Sequence, residues 1–81
     1  MKRERVLAKG MIVHDAGDYF QIYSDKGAAM GCAEVIVGGT LFYMPRLATV
    51  KKSEYPELQT VCDNNQVIEG ELREKIEKQL L

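Results

Sequence analysis

The amino-acid sequence predicts an α+β fold: a small antiparallel sheet of two β-hairpins, with four to five strands, and a C-terminal amphipathic helix. Two pairs of β-prone segments flank turn sequences at residues 15–18 and 38–39, and the last part of the chain repeats an apolar residue at every fourth position. The 81 residues are 46% hydrophobic and 28% charged. No apolar run approaches the roughly 18 residues that a membrane span needs. We expect one soluble domain over residues 1–81, with the sheet over about 5–62 and the helix over about 66–80.

The first hairpin is predicted over residues 5–24. Residues 5–13 are apolar and partly β-branched, and they lead into the turn-forming residues 15–18. In the segment that follows, Phe20 and Ile22 alternate with more polar positions. Because side chains of a strand alternate between its two faces, Phe20 and Ile22 are expected on the same face.

The second hairpin is predicted around Gly38 and Gly39. This pair separates the apolar segments 33–37 and 40–44, and glycine reaches the positive φ of a tight turn without strain. Pro45 lacks a backbone donor, so the strand is expected to end or bulge there. Residues 47–50 would then continue as an edge.

The connecting segments are less defined. Residues 24–31 fit a loop or a short helical turn, and residues 51–57 fit a surface loop. Residues 58–62 fit either a short strand or one helical turn, since a proline precedes them and β-branched residues end them. Residues 63–66 form a predicted turn with side-chain oxygens for a helix N-terminus.

The C-terminal helix has the strongest sequence signal. Its apolar stripe is Ile68, Leu72, Ile76 and Leu80. Charged pairs at i,i+4 spacing support the helix, whereas Gly70 is expected to cost about 1 kcal/mol inside it. Because an 81-residue chain has a thin core, we expect the stripe to pack on the sheet or on a second subunit. A homodimer through Leu72, Ile76, Leu80 and Leu81 is therefore predicted.

The charge balance gives no strong field, because the net charge is −1. The N-terminus is locally basic through Lys2, Arg3, Arg5 and Lys9. This cluster favours either ordinary solvated charge or a weak contact with a polyanion, so nucleic acid is the less favoured partner.

The chain has no pattern that predicts catalysis, a metal site or a cofactor. Cys32 and Cys62 are 30 positions apart without the close spacing of zinc modules, and His14 is the only histidine. We expect a protein that is not an enzyme, with two unpaired, buried and slowly reacting thiols, in the cytoplasm. A single disulfide and a cysteine hydrolase using His14 are the alternatives.

Three residues of the first hairpin are the predicted partner-binding surface: Tyr19, Gln21 and Tyr23. Alternation places them on one face, where an exposed tyrosine pair would bind a protein; packing of the tyrosines is the alternative. The expected function is a small non-catalytic interaction module, an inhibitor or regulator that binds another protein through its sheet face or edge.

A second predicted site is the glycine-containing loop of residues 27–31. Lys26, Gly27 and Gly31 would hold a small anion through a side-chain charge and backbone N–H groups. The alternative function is therefore a small-ligand or nucleotide-binding protein that uses this loop and a dimer cleft. A weak nucleic-acid-associated regulator using the basic N-terminus is the second alternative.

Overall fold

The computed structural model describes residues 10–27, 30–37 and 40–81. They form a five-stranded antiparallel sheet of order β3-β4-β2-β1-β5, together with two helices. The strands are β1 (Met11–Asp15), β2 (Tyr19–Ser24), β3 (Cys32–Val37), β4 (Thr40–Lys51) and β5 (Val67–Ile68), and the helices are α1 (Leu58–Asn64) and α2 (Gly70–Leu80). The predicted α+β fold with a C-terminal helix is confirmed.

The first predicted hairpin is present. β1 pairs with β2 from Met11 opposite Ser24 to Asp15 opposite Phe20. In the turn, Gly17 has a φ of 86°, and its N–H donates to Oδ1 of Asp15 at 3.0 Å. This side-chain bond replaces a ladder bond and closes the turn. Residues 5–9 of the predicted first strand lie outside the described residues.

The second hairpin is also present, and its strand continues through Pro45. Val37 pairs with Thr40, and the predicted turn at Gly38 and Gly39 lies outside the described residues. The N–H of Arg46 donates to the carbonyl of Gly31 at 2.7 Å. Because such bonds alternate along an antiparallel pair, the nitrogen of Pro45 points away from β3. The β2–β4 ladder ends at Arg46, so no strand needs a donor from Pro45.

The predicted bulge lies two residues later than Pro45, at Leu47. Ile22 pairs with Ala48 while the next residue of β2, Tyr23, pairs with Arg46, which leaves Leu47 as an extra residue in β4. A one-residue bulge shifts the alternation of side chains. Arg46 and Ala48 consequently lie on opposite faces of the sheet.

Both helices cover the same face of the sheet, and the main core lies between the helices and that face. Phe20, Ile22, Leu58 and Ile76 are each 0% exposed in this core. The other buried members are Met11, Val13, Leu47, Val50, Tyr55 and Ile68. Leu72 and Leu80 are half-buried against it, so the predicted apolar stripe packs on the sheet of its own chain.

The predicted helix start at about residue 66 is wrong. Val67 and Ile68 form β5, antiparallel to β1, and α2 begins at Gly70. Ile68 joins the same core as the helical stripe because an edge strand delivers it there. Gly70 is not a defect inside the helix: its φ of 65° turns the chain from the extended Glu69 into α2.

Residues 58–62 are helical, within α1. The helix ends at Asn64, and two residues later Gln66 has a φ of 65° and donates its N–H to the carbonyl of Val61 at 2.8 Å. A left-handed residue in this position is a common helix terminator. The side chain of Asn65 then accepts a hydrogen bond from the N–H of Val67 at 3.1 Å, which starts β5.

Charged side chains attach α2 to the rest of the fold. Arg73 contacts Oε1 of Glu77 at 2.8 Å and Oδ1 of Asp25 at 3.3 Å, and Lys75 contacts Oε1 of Glu57 at 2.8 Å. The hydrogen bond from Arg73 lowers the pKa of the Glu77 carboxyl below its ordinary value. These pairs are solvent-exposed, so they position the helix more than they stabilise it.

We predict a large difference between the two sides of α2. Ile76→Ala should lower the free energy of unfolding by about 2–5 kcal/mol, since it leaves a cavity in the main core. Leu72→Ala should lower the free energy of unfolding by less, because Leu72 is only half-buried. Glu74→Ala, an exposed control on α2, should change it by less than about 0.5 kcal/mol. Urea denaturation measures all three, and equal losses at Ile76 and Glu74 would contradict this packing.

Candidate binding face

The face of the sheet opposite the helices is called the open face here. Strand alternation and the bulge at Leu47 place the following residues on it: Ile12 and His14 from β1; Tyr19, Gln21 and Tyr23 from β2; and Met44, Arg46, Thr49 and Lys51 from β4. No helix among the described residues packs on this face. The side chains of the open face are therefore available for an interaction other than packing on these helices.

A second apolar cluster lies on the open face. It consists of Met44, Tyr23 and Ile12, which are 0%, 4% and 6% exposed. Half-buried residues Ala33 and Val35 of β3 pack against it. Strand β3 thus curves over the open face and supplies the cover that a helix supplies on the other side.

A groove of about 380 Å³ lies between the curved β3 and the floor formed by β1 and β2. Its lining residues are His14, Gln21, Tyr23, Glu34, Val35 and Gln66. Glu34 and Val35 are consecutive in β3, and consecutive strand residues point to opposite faces. Both line the groove, so the groove runs along the edge of β3 as well as over the open face.

The predicted exposed tyrosine pair is only half correct. Tyr19 is 44% exposed on the open face, whereas Tyr23 is buried at 4% in the second cluster. Gln21 is half-buried and lines the groove between them along β2. Tyr19, Gln21 and Tyr23 share a face as predicted, but the curvature of β3 covers the ring of Tyr23.

Arg46, Tyr23 and Gln21 form a chain of hydrogen bonds beside the groove. Nη2 of Arg46 donates to the hydroxyl of Tyr23 at 3.3 Å, and this hydroxyl donates to Oε1 of Gln21 at 3.2 Å. The Arg46 guanidinium also lies 5.4 Å from the centre of the Tyr23 ring. The hydrogen bond to Oε1 orients the amide of Gln21, whose N–H groups are donors.

Arg46 has no carboxylate partner among the described residues. Its Nε is buried and has no hydrogen-bond partner there. A buried donor without an acceptor costs free energy, and a cation in such a place normally has a counter-charge. Sequence reasoning missed Arg46, because nothing in the pattern around Pro45 distinguishes it from a surface arginine.

At the predicted anion site of residues 26–31, two backbone N–H groups already have acceptors within the chain. The N–H of Gly27 donates to the carbonyl of Ser24 at 2.9 Å, and that of Lys26 to Oγ of Ser24 at 3.1 Å. Lys26 pairs with Glu77 at 3.5 Å, and Gly31 bonds β4 through its carbonyl. Gly27 is buried against the backbone of Leu47, so the N–H groups of Lys26 and Gly27 are not free for a ligand, and an anion contact at Gly31 stays a prediction. Residues 28 and 29 lie outside the described part of the chain.

The residues predicted to form a dimer contact differ in their exposure. Ile76 is 0% exposed in the core of its own chain, so its assignment to a dimer seam is wrong. Leu72 and Leu80 are half-buried, and Leu81 is 60% exposed. A dimer seam would have to use these three residues, and the homodimer stays a prediction. Lys2, Arg3, Arg5 and Lys9 lie outside the described residues, so a nucleic-acid contact there also stays a prediction.

Both cysteines are unpaired, but Cys32 is exposed rather than buried as predicted. Cys62 is half-buried, and desolvation together with the charges of Asp15 and Asp63 raises the pKa of its thiol. His14 is exposed on the open face, opposite Gln21. Within the described ranges, no three His, Cys, Asp or Glu side chains are grouped to hold a metal ion.

Comparisons with protein-family models, with curated proteins and with solved structures give no match to this chain. In the part of the chain that the structure describes, no helix is long and apolar enough to cross a membrane. The function is therefore inferred from the geometry of the open face.

We predict that Gly27 is required for the bulge that places Arg46 on this face. A Cβ at residue 27 would lie 2.8 Å from the backbone nitrogen of Leu47. Gly27→Ala should therefore cost roughly 1–3 kcal/mol and shift the amide resonances of Arg46 and Leu47. Gly17→Ala, strained in φ but open in space, should cost about 1 kcal/mol and leave those resonances unchanged. Wild-type stability of Gly27→Ala would contradict the contact.

Proposed function

We propose that this protein is a small non-catalytic interaction module, an inhibitor or regulator that binds a segment of another protein over its open face. The observation that carries the proposal is the asymmetry of the sheet. One face is covered by the helices and the main core, whereas the other holds a groove, an exposed tyrosine and an arginine whose Nε has no acceptor among the described residues.

The composition of the open face supports a protein partner. Tyrosine and arginine are the residues that most often dominate the free energy of binding at protein interfaces, especially beside apolar side chains. Tyr19 is exposed next to the groove, and the buried ring of Tyr23 holds Arg46 in place. A partner segment lying along β2 would contact Tyr19, Gln21 and Arg46 together.

A small-ligand protein is the second candidate function. Its support is the groove itself, because 380 Å³ lies at the small end of the roughly 300–1,000 Å³ typical of ligand sites. The ligand would occupy this groove rather than the loop of residues 27–31. Unpaired thiols support a cytoplasmic location for either function.

Site-specific photocrosslinking in the source cell tests the proposed function. Benzoylphenylalanine replaces Tyr19 in one variant and Glu74, on α2, in a matched control. We expect a crosslinked species of one defined mass from position 19 only, and its loss when Gln21→Ala is added, because the partner contacts both residues. Mass spectrometry then identifies the partner.

Two outcomes would contradict this proposal. Equal crosslinking from positions 19 and 74 would mean that the contacts are unspecific. A crosslink from position 74 alone would place the partner on the helical side.

A further inference from the structure

We propose that the open face is a binding site for an acidic, extended segment of a partner protein, in which one carboxylate pairs with Arg46 and a second pairs with Lys51. This inference rests on the proposed function and names the chemistry of its partner. Its basis is the charge of the face, the state of Arg46 and the spacing of the two cations.

The charges of the open face complement those of an acidic partner. The open-face positions of β1, β2 and β4 include the cations Arg46 and Lys51 and the imidazole of His14, but no carboxylate. Four acidic groups of the described residues pair instead with other cations, as Asp15 does with Lys52 at 2.7 Å and Glu57 with Lys75 at 2.8 Å. An acidic partner therefore meets a face of opposite charge.

The guanidinium of Arg46 has an incomplete set of hydrogen bonds among the described residues. Its guanidinium is held by the ring and hydroxyl of Tyr23, and its buried Nε lacks an acceptor among the described residues. A carboxylate accepts hydrogen bonds from an arginine through two oxygens and neutralises its charge. Because the Nε is buried, the partner's carboxylate binds the guanidinium through its Nη groups. The amide N–H groups of Gln21, oriented by Tyr23, supply further donors next to it.

The distance between the two cations fits an extended segment. Arg46 and Lys51 are five positions apart in β4, and the bulge at Leu47 removes one strand rise. At about 3.3 Å per residue they lie roughly 13 Å apart along the strand. Two side chains on the same side of an extended segment span this distance when they are four positions apart, since alternate residues share a face.

Glu34 limits where the acidic segment can lie. It lines the β3 side of the groove and has an interaction of its own within the chain. Its carboxylate repels an anion on that side. The partner's carboxylates therefore bind along β4 and β2, where Tyr19 lies opposite Lys51 and Gln21 lies between the levels of the two cations.

The test is an NMR titration of the full chain with a designed probe, the peptide acetyl-Gly-Glu-Val-Thr-Val-Glu-Gly-amide. A second peptide with both Glu residues replaced by Gln is the matched control, and sodium acetate at equal carboxylate concentration tests for a small-anion site. The readout is the Nε–H resonance of Arg46, which reports on a carboxylate that binds its guanidinium.

We expect the Glu peptide to shift this resonance and to bind at least about tenfold more tightly than the Gln peptide, because charged hydrogen bonds discriminate strongly. Acetate should not shift it at the same concentration. Arg46→Met, which keeps the aliphatic stem, should weaken binding about tenfold. The exposed Lys51→Gln, which leaves the fold intact, should weaken it about threefold. Arg73→Met removes a cation of α2 that already has two carboxylate partners, Glu77 and Asp25, so it should leave binding unchanged.

Equal binding of the Glu and Gln peptides, or an unchanged affinity in both Arg46→Met and Lys51→Gln, would overturn this inference. Equal shifts with acetate and with the Glu peptide would replace the partner segment by a small anion.

Adding Arg46→Met to the Tyr19 crosslinking variant separates the two proposals. A crosslink that survives this change supports the interaction module and refutes the acidic partner, whereas peptide binding without any crosslink at position 19 refutes the module alone.

Discussion

The extra residue Leu47 in β4 determines which side of the sheet the later side chains of that strand occupy. Before it, Met44 and Arg46 face the open side; after it, Ala48 and Val50 face the main core. The bulge is seated on Gly27, where any larger residue would contact the backbone of Leu47. Without this shift in alternation, either Val50 would leave the core or Arg46 would enter it, and both changes are unfavourable.

The bulge therefore separates two faces with different uses. On the helical side, apolar residues are buried and the cations around them have partners, as Arg73 has with Glu77 and Asp25. On the open side, Arg46 is half-buried without such a partner among the described residues. A protein that optimised only its stability would not leave a buried donor unsatisfied. Such a departure is most often found where a molecule binds something else.

The fold was largely predictable from local patterns, and the site was not. Alternation and turn residues were sufficient for both hairpins, and the spacing of Leu72, Ile76 and Leu80 was sufficient for α2. The same four-residue spacing extended the predicted helix over Ile68, because an edge strand followed by a helix can place apolar residues on one core. Only a long-range pairing with Met11 distinguishes the two.

The burial of Tyr23 and the role of Arg46 depend on curvature. Alternation assigns Tyr19 and Tyr23 to the same face, but it does not show that β3 curves over one of them. Gly27 and Leu47, which meet at the bulge, are 20 positions apart in the chain. Their contact leaves no local signal in the sequence, and the local pattern around Gly27 predicts a ligand site instead.

The most direct test of this account is the pattern of nuclear Overhauser effects around the Tyr23 ring. If Leu47 is a bulge, the ring protons of Tyr23 should show effects to the side chains of Arg46 and Met44, while the methyl group of Ala48 shows them to the main-core residue Ile22. An effect between Ala48 and the Tyr23 ring, with none to Arg46, would mean that β4 has no bulge. The open face would then lack Arg46, and the account would be wrong.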